Sequence, residues 1–418
     1  MSGTRRILAR HLEKGSVKPG EFIEVDVDLV LANDITAPLA VKEFQRLSAG
    51  KVFDKSKVVL VLDHFTPNRD IASAEQCAGI RRFAREQEIE SFYDGGDVGI
   101  EHVLLPEEGL IKPGTIVIGA DSHTCTYGAL GCFATGMGST DAGAAMATGM
   151  VWLRVPEAIN VVLTGRFNRW VGGKDVILNL IGRLGVDGAT YRSLEFTGDG
   201  LEDLSVDGRL TIANMAIEAG AKNGLFGIDR QAVEYLASAG VSAEEDPIIA
   251  DEFGYSGEVD MDLRELAPQV ALPSLPSNVV DVDQAPSVRL DQVVIGSCTN
   301  GRMEDMRLAA EVLKGKRAAD GVRLLVVPGS KRIYRKSMEE GLFDVFLDAN
   351  AVISPPTCGP CLGGHMGVLA AGEKALSTTN RNFIGRMGHR ESEVYLCNPA
   401  VAAASAVTGT ITDPGEIV

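Results

Sequence analysis

Val293-Val294-Ile295-Gly296-Ser297-Cys298-Thr299-Asn300-Gly301 is an apolar run that stops on a small polar loop, and Met303 to Leu313 behind it has a helical pattern. Strand, loop and helix in that order form the unit of an open α/β sheet, which places its chemistry at the carboxyl ends of strands. Cys298 stands at such an end. Further along, Pro355-Pro356-Thr357-Cys358-Gly359-Pro360-Cys361-Leu362-Gly363-Gly364 adds a C-x-x-C pair, which brings two thiolates within reach of one metal centre. Gly359 and Pro360 between them favour a tight, non-helical turn. Three thiolates without a clear fourth suit an iron–sulfur cluster that leaves one iron open. A zinc half-site, a redox pair and two buried thiols also fit the C-x-x-C spacing, and a single motif does not choose among them.

The chain around these cysteines has 418 residues, enough for two or three ordinary domains. With 45% hydrophobic and 23% charged residues it reads as a soluble globular protein. The 47 glycines and few aromatics favour tight turns and close backbone approaches over a large aromatic core. A net charge of −17 argues against nucleic acid as the main partner, because phosphate binding needs a basic face. An anionic substrate would need a local arginine cluster to overcome that field. Thr4 to Arg10 is a charged helical start without the apolar core of a secretory signal, and no apolar run approaches the length of a membrane span. Seven cysteines in such a chain are expected as thiols in a reducing cytoplasm.

In chain order, residues 5–15 read as a short helix and Glu24 to Val30 as one half-buried strand, from alternating charged and apolar residues. Asn33-Asp34-Ile35-Thr36 offers polar groups at a turn before a helix from Pro38 to Leu47. Val58 to Leu62 and Thr115 to Gly119 are continuous apolar runs, strands buried on both faces. The first ends in Asp63-His64 and the second in Asp121-Ser122-His123. Gly136-Met137-Gly138 lacks the third glycine of a dinucleotide fingerprint, where Asp141 stands, and no Walker lysine motif occurs. Thr211 to Ala221 reads as a helix with Asn214 and Glu218 on one face, for which a solvated polar stripe is the plain alternative. Gly240 to Leu290, acidic and then interrupted by Pro273, Pro276 and Pro286, reads as a domain connection.

Taken together, Asp63-His64, Gly119-Ala120-Asp121-Ser122-His123-Thr124, Ile295 to Asn300, Cys358-Gly359-Pro360-Cys361 and Asn380-Arg381-Asn382-Phe383-Ile384-Gly385-Arg386 resemble the large subunits of the aconitase superfamily's dehydratases. The 3-isopropylmalate dehydratase and homoaconitase group is the nearest in pattern. The resemblance runs nearly end to end. It implies an aconitase-like α/β fold in three regions, 1–165, 166–282 and 283–418, around a central cluster-binding cleft, with Cys298, Cys358 and Cys361 holding a 4Fe-4S cluster. It further implies that Asp63, His64, His102, Asp121, His123 and Glu218 handle protons and the substrate hydroxyl, and that Asn33, Ser122, Asn214, Asn380, Arg381 and Arg386 contact substrate or cluster. Arginine suits bidentate carboxylate binding. Cys77, Cys125, Cys132 and Cys397 match no ligand position and read as buried thiols; His11, His365 and His389 read as structural or surface residues.

Two departures qualify the resemblance. Asn33 stands where single-chain aconitases carry a glutamine. The family's C-terminal swivelling domain, with its serine base and substrate-reading arginines, has no counterpart here, so a separate small subunit is expected to supply it. The implied activity is isomerisation of 2-isopropylmalate to 3-isopropylmalate by dehydration and rehydration, with homocitrate or a methylated malate as the alternative substrate. From other classes, an electron carrier would need a fully ligated cluster, and an iron-sensing RNA-binding protein is disfavoured by the acidic charge.

Overall fold

The four-residue strand Val58–Val61 is buried at every position, as are Leu29–Asn33 and Ile116–Gly119. Their mostly aliphatic residues fit a strand covered on both faces, as parallel sheets require. These strands form the centre of a five-stranded parallel sheet ordered Ser91–Tyr93, Val58–Val61, Leu29–Asn33, Ile116–Gly119, Phe133–Gly136. The computed structural model describes residues 1–12, 16–248 and 254–418. Contacts divide the chain into one unit of residues 1–97, 105–164 and 189–261 and another of residues 98–104, 165–188 and 262–418. The five-stranded sheet belongs to the first.

In that first unit the helix Ile71–Gln87 starts on a reciprocal cap: the Asp70 carboxylate accepts from Ser73 N at 2.8 Å, and the Ser73 hydroxyl accepts from Asp70 N at 3.1 Å. Phe83 of this helix meets Phe44 edge-on, with ring centroids 5.4 Å apart. A second sheet runs Asn223–Phe226, Arg192–Thr197, Glu157–Thr164, Gly257–Asp262, with the first three strands parallel. The helix Val206–Met215 packs on the 3-10 segment Ser122–Leu130, which is buried from His123 onward.

The second unit holds a seven-stranded sheet ordered Val279–Asp281, Gln269–Ala271, Glu393–Leu396, Lys374–Ser377, Gln292–Gly296, Arg323–Val327, Ala351–Ile353. The last five are parallel, and Gln269–Ala271 runs antiparallel to both of its neighbours. Two helices flank the cysteine strand in sequence or space: Met303–Leu313, and the almost wholly apolar Pro399–Thr408, whose first turn is capped by Asn398 Oδ1 on Val401 N at 2.9 Å.

Four expectations are corrected. Glu24 to Val30 is not one strand. Phe22–Asp26 alternates exposed and buried residues in a ribbon with Met150–Arg154, and Leu29–Asn33 then enters the buried sheet. The alternation was genuine but belonged to the ribbon alone, because a two-sided sheet selects continuous apolar runs. The helix around Asn214 ends at Met215 and tightens into the 3-10 turn Ala216–Ala219, closed by Gly220 in the left-handed region at φ 85°. The stretch 240–290 is not a bare connection. It supplies Gly257–Asp262, Gln269–Ala271 and Val279–Asp281, and Pro273 and Pro276 sit in the turn between the last two strands, where proline costs no ladder hydrogen bond. The C-x-x-C segment is a single 3-10 turn, Gly359–Leu362, rather than a non-helical one. The N-terminal helix spans Gly3–Arg10; its expected extension to residue 15 falls partly on residues 13–15, outside the described residues.

Candidate active-site and cluster-binding residues

Within the first unit the loops after three neighbouring parallel strands carry Asp34, Asp63, His64, Asp121 and His123. After Val58–Val61 comes Asp63-His64. Both are buried, and His64 Nδ1 lies 2.6 Å from Asp63 Oδ1 and 3.5 Å from Asp34 Oδ1. Asp34, just past the end of Leu29–Asn33, also accepts from the backbone N–H groups of His64 at 2.9 Å and Phe65 at 2.8 Å. Burial disfavours a charged His64, but the charge of Asp63 and the hydrogen bonds to Asp34 and Asp63 outweigh it and hold the pKa well above the ordinary value. Asp34 is likewise resisted by burial, yet the His64 contacts and two backbone N–H groups bring its pKa below the ordinary range. The result is an imidazolium set between two carboxylates.

After Ile116–Gly119, the Asp121 carboxylate caps the next segment by accepting from His123 N at 2.7 Å. His123 Nδ1 stands 3.3 Å from Asp121 Oδ1, and its Nε2 stands 3.0 Å from Glu218 Oε1. Ser122 opens the 3-10 segment beside them and lines a cavity of about 470 Å³ with Gly136, Asp141 and Lys222. Asn214 donates to Thr126 Oγ1 at 2.8 Å, and Thr126 in turn donates to His123 O at 2.6 Å. Asn214 and Glu218 are both buried, so the solvated-stripe alternative does not hold. Gly119 makes this loop possible: a Cβ there would lie 1.9 Å from Thr124 Oγ1, whose hydroxyl donates to Asp121 O at 2.7 Å. Asn33 is buried, and its side-chain oxygen accepts from Ile35 N, Thr36 N and Thr36 Oγ1, which binds it to the local turn.

The second unit gathers the cysteines. Cys298 follows Gln292–Gly296, Cys358 and Cys361 follow Ala351–Ile353, and Asn380 follows Lys374–Ser377, each at the carboxyl end of a parallel strand. Asn380 Nδ2 donates to Cys298 Sγ at 3.3 Å, while Cys361 Sγ lies 3.3 Å from Asn380 Oδ1. One buried carboxamide therefore spans two of the three thiols. Arg386 Nη2 approaches Cys361 Sγ at 3.6 Å. Cys361 N donates to Cys358 O at 3.0 Å, which closes the C-x-x-C turn. All seven cysteines are thiols. Arg302 is buried and donates from Nη1 to Thr299 O at 2.9 Å and from Nη2 to His102 O at 3.4 Å, so it ties His102 to the Cys298 loop. His102 Nε2 lies 3.6 Å from Glu101 Oε1. Arg381 follows Asn380 directly and is partly exposed.

Three participants escaped sequence reading. Asp34 reads from the sequence as a turn residue, and its position directly after a strand's carboxyl end is the signal that could find it. His365 lies 3.3 Å from Thr357 Oγ1 and packs on Gly359, where a Cβ would meet its ring at 2.5 Å. Lys174 is buried beside the cysteine loop, and nothing in its spacing announces that. The other cysteines are packed thiols: Cys125 Sγ donates to Asn214 O at 3.3 Å, and burial pushes Cys132 up to about 12.

The model of the aconitase family (aconitate hydratase) matches residues 5–287 and 284–409. This chain belongs to the aconitase family. Its relatives in that family include 3-isopropylmalate dehydratase large subunits. The one from Syntrophus aciditrophicus (strain SB) is 59% identical, with 100% of this chain and 99% of the relative covered. The one from Clostridioides difficile (strain 630) is 56% identical with 100% of both covered, and the one from Lachnoclostridium phytofermentans is 57% identical with 100% and 99% covered. Among solved structures, holo aconitase X of Thermococcus kodakaraensis aligns at a TM-score of 0.49 and 13% identity, over 86% of this chain and 84% of that one. Membership of the aconitase family accords with the parallel α/β sheets described above.

Proposed function

We propose that this chain is the large subunit of a 3-isopropylmalate dehydratase, a hydro-lyase that interconverts 2- and 3-isopropylmalate by dehydration and rehydration in leucine biosynthesis. Full-length relatives at 54–59% identity that bear this name support the reading. The structural observation that carries it is the Asn380 carboxamide set between Cys298 and Cys361, in the same unit as Cys358. Three thiols at strand ends, with the Asn380 N–H donating to Cys298 Sγ and the Arg386 guanidinium turned to Cys361 Sγ, are a set suited to an iron–sulfur cluster, since hydrogen bonds donated to sulfur stabilise anionic thiolates. Cys298, Cys358 and Cys361 would hold a 4Fe-4S cluster. When bound, the cluster would supply Lewis-acid chemistry for a substrate hydroxyl and carboxylate.

The remaining steps fall to the chain's own side chains. With His64 Nδ1 held by Asp63, Nε2 is the ring nitrogen left to present a proton to a leaving hydroxyl, and the flanking carboxylates keep the ring charged. His123, held between Asp121 and Glu218, has its ring orientation fixed from both nitrogens, which suits it to position the hydroxyl. Arg381 and Arg386 supply positive charge for a dicarboxylate in a chain of net charge −17. A small subunit carrying the swivelling domain would complete the site and supply the base. Among the described residues no helix is long and apolar enough to cross a membrane.

The test is anaerobic reconstitution with iron and sulfide, followed by activity on 2-isopropylmalate with and without the small subunit. Turnover only in the mixture is expected. Full activity from the large subunit alone would overturn the split site, and turnover of homocitrate with negligible isopropylmalate activity would reverse the choice of substrate.

A further inference from the structure

Among the buried charges outside the acid–base groups and thiols above is Lys174. Lys174 lies in the first turn of the helix Gly173–Leu184 and is 1% exposed. Its ammonium donates to Thr378 O and to Thr379 O, both at 2.7 Å. These carbonyls immediately precede Asn380. Thr378 O also accepts from Thr299 Oγ1 at 2.6 Å, and the Thr378 hydroxyl bonds Gly296 through both its backbone O and N, at 2.9 and 2.8 Å. The ammonium thus ties the helix Gly173–Leu184 to the segment before Asn380, and Thr378 in turn links that segment to the loop that carries Cys298.

A buried lysine is expensive unless something compensates it. The adjacent Asp175 points elsewhere: it accepts from Gln269 N, Gly172 N and Asn398 Nδ2, at 2.8, 2.8 and 2.9 Å. Asp305 is engaged with Asn300 Nδ2 and Arg302 N, both at 2.9 Å. Burial lowers the Lys174 pKa to about 8, and the groups acting to raise it again include Cys397, Cys298, Asp305 and Cys361. Two carbonyls alone are a modest offset for a full charge, whereas a net-negative cluster on the neighbouring thiolates would supply the missing counter-charge.

We propose that Lys174 is a positioning residue whose positive charge anchors the Thr378–Thr379 carbonyls, a segment itself bonded to the Cys298 loop, and would set the reduction potential of the cluster bound there. This rests on the cluster assignment above. Cluster potentials follow net charge and hydrogen bonding near the sulfurs, so a cation at this place favours the reduced state. Removing it favours the oxidised state and makes the potential more negative.

The experiment compares K174M, K174Q and K174R with the wild-type chain, each reconstituted anaerobically, by potentiometric titration followed by electron paramagnetic resonance. K174M removes charge and hydrogen bonds. K174Q keeps a donor for the carbonyls without charge, and serves should K174M not fold. The uncharged variants are expected to disfavour reduction by about tenfold or more, which is 59 mV for a one-electron couple, and K174R is expected to stay near wild type. A K174Q potential equal to that of wild type would overturn the proposal, because a purely structural lysine leaves the potential unmoved. If the wild-type chain takes up no cluster, the cluster assignment itself fails; a wild-type cluster with unmoved variants sinks only the role of Lys174.

Discussion

His123 Nε2 lies 3.0 Å from Glu218 Oε1, although the two residues are far apart in sequence and Glu218 sits on a 3-10 turn rather than on the α-helix before it. The turn at Ala216–Ala219 carries the carboxylate out of the register an unbroken helix would give it. Asp121 fixes the other ring nitrogen of the same histidine.

Glu218→Gln keeps the shape of that contact and removes its charge. Turnover of 2-isopropylmalate by the complete enzyme is expected to fall about 100-fold or more, with a smaller change in KM and an altered pH–rate profile. Wild-type kinetics in this variant would remove Glu218 from the acid–base set.

The His64 cluster makes stability depend on pH. Its pKa is raised in the folded chain above the ordinary 6.5, so the folded state binds this proton more tightly than the unfolded state does. The contribution is complete below pH 6.5 and is lost as pH rises through the folded-state pKa. Urea midpoints measured from pH 6 upward should decline more steeply for wild type than for His64→Gln. Parallel profiles would contradict the assignment of a charged His64.

Asn380→Ala removes the carboxamide that spans Cys298 and Cys361. Loss of such an outer contact typically weakens metal affinity about 10- to 100-fold. Chelator competition on the reconstituted chain should report a loss in that range, with circular dichroism unchanged. Undiminished cluster retention would show that the amide contacts are incidental.

Gly359→Ala would place a Cβ 2.5 Å from the His365 ring. Overpacking of this kind costs about 1–3 kcal/mol, and the C-x-x-C turn is where the strain would fall. Combining it with His365→Ala should recover much of the lost stability and cluster content. A double variant no better than Gly359→Ala alone would mean that the two residues do not oppose each other.

Much of this was legible in the chain. Apolar runs such as Val58 to Leu62 and Val293 to Ile295 read as buried strands, because they are too short for a buried helix and rich in β-branched residues. The groups that follow them, Asp63-His64 and Cys298, therefore had to lie at carboxyl ends. Local pattern and motif order were enough for the α/β class and the family. Three-dimensional contact decided the rest. Asp34 joins His64 because adjacent parallel strands end together, Asn380 spans two cysteines because its strand pairs with the strand of Cys298, and Lys174 reaches Thr378 through burial alone. Local pattern records which face a residue needs to bury, but which distant strand becomes its neighbour depends on sheet order, and no window of sequence carries that order.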